Sequence, residues 1–167
     1  MIEIYPNLFV GPKGDYEQTV RHENGWYVVH AAKEPYHRQA VGYVGPDAPT
    51  DHPEYLFARR GARLMLNLID APVQVDIPRR IFDVALEFID GGLRSGHRLL
   101  VHCIEGRSRS ASVGLLYLAS RTPVFDGCSH REAEERFNEI YAPLHAGVAL
   151  RRFVCSHWQE YRRAPRK

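Results

Sequence analysis

No apolar run in this 167-residue chain is long enough to span a bilayer, and the opening MIEIYPNLFVG lacks the basic and long apolar regions of a secretion signal. Charge of one sign is scarce as well. A formal net charge of +2 is too small to argue for nucleic acid or an anionic membrane surface as partner. Cysteine is limited to Cys103, Cys128 and Cys155, an odd number with no CxxC pair, which excludes a disulfide framework or zinc knuckle. Such usage suits a reducing compartment, so a cytoplasmic location is expected. Nine histidines are present, but none falls in HExxH or another tight ligand spacing, so no metal or other cofactor is expected. There is no internal repeat, low-complexity tract or linker. Residues 1–167 are therefore expected to form a single domain, long enough to close a hydrophobic core.

Apolar runs at 2–10, 26–32 (WYVVHAA), 62–70 (ARLMLNLID) and 97–103 (HRLLVHC) predict strands. Between Pro78 and Arg94, Ile81, Ala85, Phe88, Ile89 and Leu93 make one helical face, with Asp83, Glu87, Asp90 and Arg94 opposite. Asp76 stands where an N-cap would, and Gly91-Gly92 with Ser95-Gly96 are expected to unwind that helix. Helices are also predicted at Ser110–Ser120, 129–141 and 147–161. Residues 33–61, with Pro35, Pro46, Pro49 and Pro53, read as a long irregular segment containing at most a short helix near Pro53–Arg60. Strands alternating with helices, then helices alone, predict an α/β fold: a twisted, mostly parallel sheet of four or five strands flanked by helices.

The chemistry concentrates in LLVHCIEGRSRSASVGLLYLA, residues 99–119, where a short polar loop separates two apolar elements. A strand-to-helix turn directs successive backbone N–H groups and the positive helix end at one spot, which suits a phosphate. Gly106 permits the tight curvature, and the Arg109 guanidinium offers a planar fork to two phosphate oxygens. Cys103 sits at the mouth of the loop. The thiolate is the reactive form of cysteine, and cationic, N–H-rich surroundings favour it. A nucleophile facing a bound phosphate describes covalent phosphoryl transfer, with Ser110 placed to hydrogen-bond the sulfur.

The stretch HCIEGRSRS, with Cys103 six residues before Arg109, resembles the signature of the cysteine-dependent protein tyrosine phosphatase superfamily, and the apolar helix after it resembles the dual-specificity branch. The resemblance covers roughly residues 62–158, and the KEPYHRQAVGYVGPDAPTDHPEYL segment falls outside it. It implies a protein tyrosine phosphatase-like fold and a two-step phosphomonoesterase acting on phosphotyrosine, phosphoserine or phosphothreonine. In that reading Cys103 is the nucleophile, and Ile104, Glu105, Gly106, Arg107, Ser108 and Arg109 bind the phosphate. Ser110 assists the sulfur and His102 orients the loop. The resemblance also implies an aspartate general acid on a loop some thirty residues earlier. Asp70, 33 residues before Cys103 at the end of LMLNLID, is the first candidate. Asp76 is its rival, and helix capping accounts for it.

Alternatives on the same scaffold are a phosphoinositide or RNA 5′-phosphatase, or a phosphoprotein-binding pseudophosphatase. A sulfur-transfer or arsenate-reducing domain also uses a Cys-x5-Arg loop, but Cys128 and Cys155 offer it no evident spacing. The expected partner is a phosphorylated protein or other phosphomonoester, with no nucleic acid and no membrane insertion. Lys33, Tyr36, His37 and Arg38 follow the strand WYVVHAA; if that strand runs parallel to LLVHC, they become candidates for a substrate rim.

Overall fold

Six strands form one sheet in the computed structural model, which describes residues 1–70 and 75–162. In chain order the elements are β1 (Ile2–Tyr5), β2 (Leu8–Pro12), α1 (Lys13–Gln18), β3 (Trp26–His30), α2 (Arg38–Val41), β4 (Phe57–Arg60), β5 (Arg63–Leu66), α3 (Arg79–Arg94), β6 (Arg98–Cys103), α4 (Arg109–Arg121), α5 (His130–Ile140) and α6 (Val148–Arg162). The spatial order is β1-β2-β6-β3-β5-β4. The four inner strands are mutually parallel, and each edge strand pairs antiparallel with its neighbour. This is the mostly parallel α/β sheet expected, with six strands in place of four or five: β1 and β2 divide the run at 2–10, and β4 is added.

One of those edges corrects an expectation. The possible short helix near Pro53–Arg60 is instead β4, zipped against β5 in the register Phe57↔Leu66 to Arg60↔Arg63. Pairing with a strand already in the sheet overrides local propensity here, and Ala58 is buried while Arg59 and Arg60 face water. Two features of α3 also differ. The helix runs straight through Gly91-Gly92 to Arg94, and its N-cap is Pro78, with no side-chain cap. Asp76 is therefore not a capping residue. Gly92 is needed for space, because a Cβ there would press on Leu99 and Tyr27 at 3.1 and 3.2 Å. Of the Asp70-Ala71-Pro72 turn, only Asp70 is among the described residues.

The sheet separates two apolar cores. On one face Val29, Leu64, Leu66, Leu99 and Val101 meet α3, α4, α5 and α6, with Phe82 stacked on Phe153 at 4.5 Å between ring centroids. Side chains from Ser110 to Ser120 are all buried, which makes α4 the central helix of that layer. On the other face α1 and the turn at Lys33–His37 cover Trp26, Val28, Met65 and Leu100. Each large side chain so buried contributes about 1.5–3 kcal/mol of transfer free energy. A capping box, Ser129 with Glu132, starts α5.

The parallel register places the site. Pro12 pairs with Cys103, and His30 with both His102 and Met65, so the carboxyl ends of β2, β6, β3 and β5 lie side by side on one rim.

Candidate active site

Cys103 is the last residue of the central strand β6 and is buried. Beside it opens a cavity of about 400 Å³, lined by Asp70, Ile104, Glu105, Arg107, Ser108, Arg109, His145 and Gly147 as well as by the cysteine. The loop Ile104–Ser108 connects β6 to α4 and reverses direction at Gly106, where φ is +78°. A side chain at that position is excluded twice over, since a Cβ would stand 2.8 Å from the backbone of Gly11 and Pro12 at the end of β2.

The loop's polar groups divide into two sets. Most of its carbonyls have partners in the protein: Ile104 O accepts from Lys13 N–H at 3.1 Å and Arg107 O from His145 N–H at 2.8 Å. The Tyr141 hydroxyl donates to Gly106 O at 2.9 Å. By contrast, no backbone N–H from Ile104 to Ser108 has a partner among the described residues. Gly106 and Ser108 are buried while Ile104, Glu105 and Arg107 are exposed at the cavity, and a row of N–H groups left free by the protein there suits an anion. The Arg109 guanidinium fits the same need. One nitrogen reaches Leu68 O at 3.4 Å, while its Nε is buried without a partner among the described residues.

Ser110, in the first turn of α4, places its hydroxyl 3.3 Å from Cys103 Sγ. Asp70, just past β5, accepts a hydrogen bond of 2.9 Å from Ser108, whose oxygen in turn accepts the Gly147 N–H at 2.9 Å. The strand-end argument thus brings Asp70 into the cavity of Cys103. Asp76 is exposed and borders separate grooves with Val75 and Ile77.

His102 points to the opposite face of the sheet, where its Nε2 lies 2.7 Å from His30 Nδ1 and its ring stacks on Tyr16 at 5.0 Å. Burial holds its pKa down to about 4, so the ring is neutral at pH 7.

The rim residues go elsewhere. The strand β3 does end on the catalytic rim, but Tyr36 and His37 are buried beneath the sheet, bonded to Glu17 and to the Glu54 carbonyl at 2.9 and 2.8 Å. Arg38 pairs with Glu34 at 2.6 Å, and Lys33 pairs with Asp47. None of the four lines the Cys103 cavity. Glu34, four residues before Arg38, and Asp47, in the loop beyond, take up the two positive charges. In the other direction, the residues that reasoning from sequence overlooked are Tyr141, His145 and Gly147. The turn YAPLHAG after α5 carries no chemical motif, and only its Pro and Gly mark it as a bend.

No family model matches the chain. It is 31% identical to human serine/threonine/tyrosine-interacting protein over 121 residues, 71% of this chain and 48% of that protein. Over 38 residues it is 60% identical to dual specificity protein phosphatase PHS1 of Arabidopsis thaliana, which is 23% of this chain and 4% of that one. The chain spans less than half the length of these curated relatives. Among solved structures, the human tyrosine phosphatase-like serine/threonine/tyrosine-interacting protein superposes with a TM-score of 0.65 at 24% identity, covering 96% of this chain and 97% of that one. DUSP15 superposes with a TM-score of 0.62 at 20% identity, covering 98% and 92%. The fold is that of the protein tyrosine phosphatase superfamily. The relatives it matches include one named as a dual specificity protein phosphatase, the branch that the loop motif resembles.

Proposed function

We propose that the chain is a cysteine-dependent phosphomonoesterase acting on phosphorylated tyrosine, serine or threonine in protein substrates. The observation that carries this reading is the convergence at one cavity of Cys103, the unpartnered N–H groups of Ile104–Ser108, the buried Nε of Arg109 and the carboxylate of Asp70. The reaction runs in two steps. The Cys103 thiolate attacks phosphorus, the bond from phosphorus to the substrate oxygen breaks, and that oxygen takes the proton of Asp70. Water then attacks the cysteinyl-phosphate, giving a proton back to Asp70, and the sulfur–phosphorus bond breaks to release inorganic phosphate and the thiolate. Loop N–H groups and Arg109 hold the equatorial oxygens through both steps, supplying positive potential where charge gathers in the transition state. The Ser110 hydroxyl stabilises the sulfur as it departs.

A second reading is a phosphoprotein-binding scaffold, favoured by the likeness to a protein whose name is serine/threonine/tyrosine-interacting protein. One experiment separates them. Purified protein is assayed on an aryl phosphate, on phosphotyrosine and phosphoserine peptides, and on phosphoinositides, with Cys103→Ser beside it. Turnover by the parent, its loss in Cys103→Ser, and retained phosphate binding by that variant are expected of the enzyme. Phosphopeptide binding without turnover in the parent identifies the scaffold instead.

A further inference from the structure

The direction in which the catalytic loop presents its N–H groups is set from outside the loop. A trans peptide is planar, with its C=O and N–H pointing opposite ways. A carbonyl held outward therefore turns the N–H of the next residue inward. Lys13 N–H holds Ile104 O, the Tyr141 hydroxyl holds Gly106 O and His145 N–H holds Arg107 O. The N–H groups of Glu105, Arg107 and Ser108 consequently face the other side, and these three residues line the Cys103 cavity. Two of the outward donors are backbone groups that almost any residue supplies. The third is a side chain, and it depends on residue identity.

Tyr141 is suited to that work. It follows α5, is 1% exposed, and its ring rests on Phe137 with centroids 5.8 Å apart. Burial raises its pKa above that of free tyrosine, with the nearby Cys103 adding to the effect, so the hydroxyl remains a donor. It also relieves a competition. Ser110 Oγ lies 3.3 Å from Cys103 Sγ and 3.2 Å from Gly106 O, and one hydroxyl proton serves only one acceptor at a time. With Tyr141 on Gly106 O, the Ser110 proton is free for the sulfur.

We propose that Tyr141 is a positioning residue of the catalytic loop: its hydroxyl keeps the Gly106 carbonyl outward, aims the Arg107 N–H at the bound oxyanion and releases the Ser110 hydroxyl to Cys103. This rests on the phosphatase reading and adds to it a residue that touches neither substrate nor sulfur.

The test follows loop amides by ¹H–¹⁵N spectroscopy while inorganic phosphate is added to the parent, to Tyr141→Phe and to Lys13→Pro. In the parent, the Glu105, Arg107 and Ser108 amides respond. In Tyr141→Phe the ring packing stays, phosphate binds about ten-fold more weakly, and the Arg107 response is lost while those of Glu105 and Ser108 remain. Alkylation of Cys103 at pH 7 slows, and kcat/KM falls by a similar factor for alkyl and aryl phosphates alike. A merely structural loss would not single out one amide. Lys13→Pro is tolerated because Lys13 opens α1 and Pro12 is already extended at φ −80° and ψ 171°; there the Glu105 response is lost instead. An unchanged Arg107 response and phosphate affinity in Tyr141→Phe overturn the inference and leave the phosphatase reading standing. A parent whose loop amides ignore phosphate overturns both. Should Tyr141→Phe fail to fold, an unchanged Glu105 response in Lys13→Pro refutes the aiming of loop amides by outward donors.

Discussion

Ser108 donates its hydroxyl hydrogen to Asp70 Oδ1 at 2.9 Å, so the candidate acid is tethered to the same loop that holds the phosphate. The serine oxygen also accepts the N–H of Gly147, just before α6, at 2.9 Å. Three separate segments are thereby joined at one oxygen. An exposed aspartate at a strand end would otherwise sample many rotamers, and proton transfer requires it within hydrogen-bond reach of the leaving oxygen.

Ser108→Ala should therefore free Asp70 without removing it. The expected result is a fall in kcat of about ten-fold on phosphoserine peptides, with a much smaller fall on an aryl phosphate whose leaving group needs little protonation. Gly147→Ala should act in the same direction, because its Cβ would collide with Asp70 Oδ1. Equal losses on both substrates would show that Ser108 serves the loop and not the acid.

Asp70→Asn removes the proton donor itself. The expected loss on phosphoserine is about 10²-fold or more, against a smaller loss on an activated aryl phosphate. Asp76→Asn should change neither, since Asp76 lies outside the Cys103 cavity. The two variants measured on both substrates assign the acid, and the opposite pattern would transfer the role to Asp76.

Gly106→Ala tests the loop's shape. The position combines φ +78° with a Cβ that would stand 2.8 Å from Gly11 and Pro12 backbone atoms, so neither the conformation nor the space admits a side chain. A cost of about 1–3 kcal/mol in stability is expected, with loss of phosphate binding because the Arg107 N–H moves with the strained peptide. Denaturant unfolding and a phosphate titration read the two effects separately. Full retention of both would mean that the loop adapts.

How far the site could be read in advance depended on where the partners lie along the chain. Cys103, Arg109 and Ser110 are legible because the loop and the helix start that unite them are contiguous. Asp70 is legible at one remove, since parallel strands end on a common rim. Tyr141 and Lys13 are not, because each meets a backbone carbonyl of the loop, and a carbonyl has no signature in residue type. Lys33, Tyr36, His37 and Arg38 are misplaced for a different reason, since local partners compete with a substrate for them. Their charges and hydroxyl suggest a substrate, yet Asp47, Glu17 and Glu34 and the Glu54 carbonyl take them up first. In the fold, long apolar strands announced themselves, while β4, four residues with two arginines, owes its state to the neighbour it pairs with.

The histidine pair beneath the loop predicts how stability changes with pH. His102 and His30 touch at 2.7 Å in a buried aromatic setting that includes Tyr16 and Tyr36. Burial lowers the pKa of His102 from 6.5 to about 4, and burial together with the charges of His102 and Arg63 lowers that of His30 further. Above pH 6.5 both rings are neutral whether the chain is folded or not, and their contribution is fully present. As pH falls below 6.5 the unfolded chain binds protons that the folded chain refuses, so stability declines, and for His102 the decline ends near pH 4. The loss from this ring alone is on the order of 3 kcal/mol across that window. Urea unfolding at pH 7 and pH 5 should show a lower midpoint at pH 5, and the difference should shrink in His102→Asn. A midpoint equal at both pH values would mean that the folded protein protonates this pair as readily as the unfolded chain does, and that the buried rings are not held neutral.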